Sequence, residues 1–309
     1  MAEIFEADDI DFDYYMRETE AHEKVRSAGV FVDDVIAYFW PEGAPVGSKL
    51  PWPKTHENII FRPGEVTLWG GMNGHGKSLV LGQMSLGFLT QGHKVCIASF
   101  EMRPAVTLAR ICRQAMGCAK PEPDDIRDFH AATDAGLYIY DQLGSVKPDQ
   151  VLAVARFCAD KLGVKHYIID SLMKCGVPED GPNAFNAQKE FIDRVCSIAK
   201  DTGLHIHLVA HSRKQQNELS PPGKMDIKGS GSITDQVDNV ITVWRNKAKE
   251  KEIAEGGAAS NDPDCLLLCD KQRNGEWEGR IGLWFIPGAS QFVETSNGYA
   301  MDMLKVMAP

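Results

Sequence analysis

The stretch Gly71-Met72-Asn73-Gly74-His75-Gly76-Lys77-Ser78 decides how this chain is read. A glycine, four residues and then Gly-Lys-Ser is the spacing of a phosphate-binding P-loop. The glycines let the backbone curl until successive N–H groups point at one phosphate. Lys77 adds a point charge for the outer phosphates, and Ser78 offers a hydroxyl to magnesium. Gly71, Asn73, Gly74, His75, Gly76, Lys77 and Ser78 are therefore expected to hold a nucleoside triphosphate, with Ser78 also on Mg2+. The flanks agree with that reading. Val66-Thr67-Leu68-Trp69 before the motif reads as a strand, and Leu79, Val80, Leu81, Met84, Leu86 and Leu89 after it recur with the period of a helix.

Working outward, helical and strand-like stretches alternate from about residue 65 to 245, the signature of a parallel sheet covered by helices on both faces. Strands are expected at 94–100, 137–140, 164–170 and 204–210. Helices are expected at 104–117, 148–162 and 186–202, the first opened by Pro104 and closed by Gly117. Past Asn239 the pattern changes to closely spaced strands, at 240–244, 265–269, 281–285 and 290–294, which predicts an antiparallel extension of the sheet. The stretch 254–262, with paired Gly and Ala, reads as a mobile loop.

With 309 residues and 43% hydrophobic content, the chain can bury one sizeable core. Two parts are expected: an acidic arm and linker helix over 1–50, and a motor domain over 51–309. Within the arm, 15–25 reads as a charged helix and 32–40 as a shorter apolar one, with 41–53 a Pro- and Gly-bearing linker. The net charge of −10 does not exclude nucleic acid, because binding responds to local charge. Much of the acidity lies in the arm, where Glu3, Glu6, Asp8, Asp9, Asp11, Asp13, Glu18, Glu20 and Glu23 face only Arg17 over residues 1–23. The eight cysteines lack CxxC pairing and read as core thiols of a reducing compartment. No apolar run reaches membrane-span length and the acidic start fits neither a secretory nor a transit peptide, so no membrane partner and a cytoplasmic location are expected.

A P-loop alone is only a binding site, since phosphoryl transfer to water also needs a metal, an aligned water and charge stabilisation. His166-Tyr167-Ile168-Ile169-Asp170 is an apolar strand ending in a carboxylate, the Walker B form, which makes Asp170 the second magnesium residue. Glu101 ends Ala98-Ser99-Phe100-Glu101, where it resembles the strand-end carboxylate of RecA-like ATPases that orients or deprotonates the attacking water, the alternative being a cap on the helix opening at Pro104. His211 follows Leu204–Ala210, placed to feel a terminal phosphate. His205 and His207 share its parity, but one strand spreads three rings too far apart to favour a metal cluster.

These residues together resemble the RecA-like motor of the DnaB-type replicative helicases, including Twinkle-like and phage members, over roughly Pro51 to Gly279. The resemblance rests on Arg62-Pro63-Gly64-Glu65, Ser99-Phe100-Glu101-Met102, the Walker B strand, His211-Ser212-Arg213-Lys214, Asp226-Ile227-Lys228-Gly229-Ser230-Gly231-Ser232-Ile233, Asp238-Asn239 leading to Trp244-Arg245-Asn246, and Lys271-Gln272-Arg273-Asn274-Gly275. It implies an α/β RecA-like P-loop NTPase fold and ATP hydrolysis with Glu101, Lys77, His211, Lys271 and Arg273 as catalytic residues. Lys271 and Arg273 would reach into the neighbouring subunit's site, and Arg245 would stack on the adenine. Arg213, Lys214, Lys224, Lys228 and Gly229 would grip single-stranded DNA phosphates inside a hexameric ring, with little base preference. Primase, a loader and a polymerase are the partners it implies. The family's large N-terminal primase-like or helical collar domain is not expected to fit within the first 63 residues. A RecA-like recombinase filament and a helicase-derived loader or regulator stay open as alternatives.

Overall fold

The computed structural model describes residues 11–15, 26–40, 47–178, 181–212, 220–221, 231–257 and 260–307. The arm contributes α1 (Phe12–Tyr15) and α2 (Val32–Phe39), the second at the apolar segment expected there. A small antiparallel pair follows, β1 (Ser48–Lys49) with β2 (Ile60–Phe61). The end of the segment read as a linker is packed rather than free: Leu50 and Trp52 are each 1% exposed, and the Trp52 indole donates to the Phe292 carbonyl at 2.8 Å. Burying two such side chains contributes roughly 1.5–3 kcal/mol each, which ties this stretch to the core.

From there the chain runs β3 (Val66–Gly70), α3 (Lys77–Thr90), β4 (Val95–Ser99), α4 (Pro104–Met116), α5 (Pro123–Thr133), β5 (Leu137–Ile139), α6 (Pro148–Leu162), β6 (His166–Asp170), α7 (Ala184–Thr202) and β7 (His205–Val209). It continues through α8 (Gly231–Gln236), β8 (Asn239–Arg245), α9 (Lys247–Ala254), β9 (Cys265–Gln272), β10 (Gly279–Ile286), β11 (Gln291–Val293) and α10 (Leu304–Met307). The main sheet has the order β11-β10-β9-β8-β3-β7-β6-β4-β5. Every pair from β8 to β5 is parallel, and β9, β10 and β11 add on antiparallel. The fold is thus α/β, a mostly parallel sheet flanked by helices with antiparallel C-terminal strands.

Alternate residues of the central strands feed two cores, one on each face. Leu68, Tyr167, Ile169, Ile206 and Leu208 pack with α6 and α7, whereas Trp69, Ile168, Val209 and Ile241 pack with α3. A parallel sheet buried on both faces reads as unbroken apolar runs, which is why these strands were legible. Several helices were not, α5 and α9 among them. In α5 the apolar residues are sparse and the start is set by a reciprocal Glu122–Asp125 capping box. In α9, Lys-Ala-Lys-Glu-Lys-Glu carries no apolar stripe, and the Asn246 side chain caps it by accepting from the Lys249 amide. This helix ends at Ala254, where the segment read as a loop begins.

All eight cysteines are free, and all but Cys118 are buried. Burial pushes the Cys175 and Cys265 thiols up to about 12, so they behave as core groups. No helix among the described residues is long and apolar enough to cross a membrane.

Candidate nucleotide site

The site lies where the carboxyl ends of β3, β4, β6 and β7 open toward solvent, the edge at which such sheets bind ligands. Positive φ angles at Gly71, Gly74 and Gly76 shape the loop between β3 and α3. At Gly71 a Cβ would run into the Val243 carbonyl of the adjacent strand, so both its conformation and its closeness to β8 require glycine. Gly76 is the left-handed N-cap of α3, whose first amides are aimed at the loop.

Lys77 is 6% exposed and donates to the carbonyls of Gly71 at 2.7 Å and Met72 at 3.0 Å. Burial pushes its amine down to about 8, while Asp170 and Glu101 pull the other way. Ser78 donates to Asp170 Oδ2 at 2.7 Å. Burial raises the Asp170 pKa, and the Ser78 hydrogen bond partly offsets it. These two oxygen donors form a hard, anionic pair that suits magnesium, whose other positions go to water and phosphate. They would hold the ion, which supplies charge neutralisation for a bound triphosphate.

The third group of residues sits opposite the loop. Glu101, just past β4, accepts a hydrogen bond from the Ser171 hydroxyl at 3.0 Å. His211, just past β7, lies with Nε2 3.7 Å from Glu101 Oε1 and Nδ1 3.3 Å from Lys77 Nζ. Burial first, and the Lys77 charge second, lower the His211 pKa, so the ring is neutral near pH 7. With Nδ1 facing an ammonium, the ring proton belongs on Nε2, facing Glu101. Lys77, Ser78, Glu101, Asp170 and His211 thus line one cavity of about 890 Å³, together with Asn73, Gly74 and Gly76. Glu101 is exposed and makes no helix cap: the residue capping α4 is Arg103.

A second cavity of about 500 Å³ shares Gly74, Gly76 and Leu79 with the first and is walled by Ile253, Phe285, Pro287 and Phe292. His75 and Arg245 line it. His75 is buried and its Nδ1 accepts the Arg245 amide at 3.1 Å, while the Arg245 guanidinium pairs with Glu250.

Lys271 and Arg273 lie away from this site. Gln272 is in register with Asn239, and Asn239 with Thr67, so the pair sits at the start of β3 while the P-loop follows its end. That separation is about 16 Å along the sheet at the usual rise per residue. Arg213, Lys214, Lys224, Lys228 and Gly229 fall outside the described residues.

The expected spreading of the histidines is corrected. His205 and His207, two apart on one face of β7, have rings 4.6 Å apart between centroids, and His166 of the neighbouring β6 joins them because it is in register with His205. Among the described residues no His, Cys, Asp or Glu set is arranged to hold a metal ion. Sequence reasoning missed Ser171, Arg110 and Arg113, which touch or line the main cavity. Ser171 was findable as the neighbour of Asp170, but the two arginines carry no signal beyond their helix.

Residues 55–217 match the family described as AAA domain. The chain belongs to this family. A curated relative of this AAA-domain chain is the replicative DNA helicase DnaC of Bacillus subtilis (strain 168), 26% identical over 174 residues, or 54% of this chain. The match takes in 36% of that helicase, so the chain aligns with about a third of the relative's length. Among solved structures, an isolated ATPase domain superposes with a TM-score of 0.71 at 16% identity, covering 91% of this chain and all of that one. A DnaB-like replicative helicase, studied with its interactions with primase, gives a TM-score of 0.73 at 14% identity, covering 88% of this chain and 69% of that one. The fold is therefore the RecA-like fold of helicase ATPase domains, as the motifs led one to expect.

Proposed function

We propose that this chain is an ATP-dependent DNA helicase, a ring-forming translocase that moves on single-stranded DNA and unwinds duplex by magnesium-dependent ATP hydrolysis. The observation that carries the reading is the separation within one subunit of the P-loop from Lys271-Gln272-Arg273. A complete hydrolytic half-site, Lys77, Ser78, Asp170, Glu101 and His211, stands at one edge of the sheet, and the basic sequence expected to complete it stands at the other. Only a second copy can bring the two together, which makes hydrolysis a property of the interface between subunits. The similarity to a replicative helicase over the motor segment supports the same conclusion.

The roles follow from position. Glu101, steadied by Ser171, takes the water's proton or orients it. Neutral His211 bridges Lys77 and Glu101, and so is placed to report a terminal phosphate to the basic segment 213–230 that follows it in sequence. The apolar cavity beside Arg245 takes the base. In the arm, Val32, Val35, Ile36, Phe39 and Trp40 are all more than half exposed, an apolar face that suits docking on a neighbouring subunit.

Arg273→Ala should abolish DNA-stimulated hydrolysis while ATP binding stays within about two-fold, because the finger's contribution appears only in the transition state. Electron microscopy with a non-hydrolysable ATP analogue and single-stranded DNA should show closed six-membered rings. Open filaments would favour a recombinase, and neither rings nor filaments a loader. A forked-duplex assay then tests unwinding.

A further inference from the structure

The helix α9 follows β8 directly and has no apolar stripe to seat it, yet polar anchors hold it in place. Its N-cap Asn246 accepts the Lys249 amide at 3.1 Å and donates from Nδ2 to the Pro263 carbonyl at 3.1 Å. Lys249 is buried, with its ammonium 2.7 Å from Asp264 Oδ1 and donating to the Asp262 carbonyl at 2.6 Å. A lysine is rarely buried unless it is paired, so these contacts, rather than core packing, set where α9 stands.

The next residue is Glu250. One of its carboxylate oxygens pairs with Arg245 Nε, and the other lies 3.5 Å from Lys247 Nζ. The Arg245 and Glu250 side chains are 45% and 37% exposed, and ion pairs so open to water contribute little to stability. Their value lies in geometry. Arg245 Nη1 also donates to the Gly74 carbonyl of the P-loop at 3.4 Å, and the Arg245 amide donates to His75 Nδ1 at 3.1 Å. Hydrogen bonds to a guanidinium lie in its plane, so Glu250 and Gly74 grip two edges and fix that plane without covering its faces. Arg245 and Glu250 both line the cavity of about 500 Å³ with Ile253, Phe285 and Phe292.

We propose that Glu250 is a positioning residue of the base site: it holds the Arg245 guanidinium at the wall of this cavity, set to stack on the base of a nucleoside triphosphate. The proposal rests on the reading of this cavity as the place of the base. A free arginine side chain samples many rotamers and must give them up on binding. The pair with Glu250 restricts them beforehand, so less entropy is lost when the nucleotide arrives. The base is remote from the phosphoryl group in transfer, so its contacts are the same in the ground and transition states and appear in KM rather than kcat.

The test uses the full chain with Mg2+ and a dT oligonucleotide. It reads KM and kcat for ATP and the inhibition constant of inorganic tripolyphosphate, which carries the phosphates without a base. Glu250→Ala should raise KM roughly 3- to 10-fold with kcat within about two-fold, and leave inhibition by tripolyphosphate unchanged. Glu250→Gln, which keeps an acceptor oxygen but loses the charge, should fall between, and it decides the matter should the Ala variant not fold. In an Arg245→Ala background Glu250→Ala should add nothing, because a positioning residue acts through the group it positions. If KM and the tripolyphosphate constant rise together, Glu250 supports the P-loop; if the full loss persists in the Arg245→Ala background, Glu250 touches the base itself. Either result overturns the proposal, as does a Glu250→Ala variant with unchanged KM. Normal KM in Arg245→Ala is a different result, which sinks the base reading itself.

Discussion

Ser78 and Asp170 come from elements separated by the whole of β4 to α6, yet their side chains meet at 2.7 Å. Two strands, β4 and β7, flank β6 in register and hold Asp170 at the level of the P-loop. Replacing Asp170 with Asn keeps shape and hydrogen bonding but removes the charge that a magnesium ion would meet. Magnesium-dependent hydrolysis should fall by about 10²-fold, whereas metal-free nucleotide binding, followed with a fluorescent ATP analogue in EDTA, should change little. An Asn variant with full turnover would remove Asp170 from the metal site.

Glu101 is the exposed member of the site, held by Ser171 on one side and facing His211 on the other. Glu101→Gln should cut turnover by about 10²–10⁴-fold with ATP affinity preserved, the signature of a lost base. Ser171→Ala leaves the carboxylate in place but frees its rotamer, so a loss of only several-fold is expected. Equal losses in the two variants would contradict the assignment, as would a Gln variant that hydrolyses normally.

The loop itself gives a sharper steric test. Gly71 holds a φ of 143° with the Val243 carbonyl against the place a Cβ would occupy. Gly71→Ala should destabilise the protein by roughly 1–3 kcal/mol, through strain at the backbone and displacement of β8. Gly74, where a Cβ meets nothing within 4 Å, has only the φ cost, so Gly74→Ala should be the milder change in a urea unfolding series. The reverse order would show that contact with β8 does not govern the loop.

What the sequence disclosed and what it hid divide along physical lines. The central strands and the helices on them were legible because both faces of the sheet are apolar, the P-loop because phosphate binding constrains its local spacing, and Asp170 as a candidate because it ends an apolar strand. Charged helices such as α9 leave no apolar period to read, and Arg110 enters the cavity only through the packing of α4 on α3, which no local pattern encodes. The histidines show the same limit: alternation along β7 was readable, but lateral register with His166 is a property of the assembled sheet.

That register gives the last prediction. Trp69 Nε1 donates to His207 Nδ1 at 3.1 Å, which leaves the His207 proton on Nε2, 3.1 Å from His166 Nδ1. His166 Nε2 then donates to Ser48 Oγ at 2.7 Å. His205 donates from Nδ1 to the Arg62 carbonyl at 2.7 Å and accepts from Thr67 at Nε2, 2.8 Å away. Every ring is satisfied as a neutral imidazole, and a second proton on His166 or His207 would set two donors against each other. Burial is the main cause that holds all three below the ordinary histidine range, His205 at about 4, with Asp238 the one carboxylate that favours a charged His205. The unfolded chain therefore binds more protons than the folded one between about 4 and 6.5, and stability is full above the unfolded pKa of about 6.5 and falls as pH drops toward 4. His205 alone accounts for a loss on the order of 3 kcal/mol across that window. Urea midpoints should thus decline steeply from pH 7 to pH 5, and His205→Gln, which still offers a donor and an acceptor, should flatten the slope. A midpoint that does not move between those two pH values would mean that the rings are already charged in the fold, and the neutral relay would be wrong.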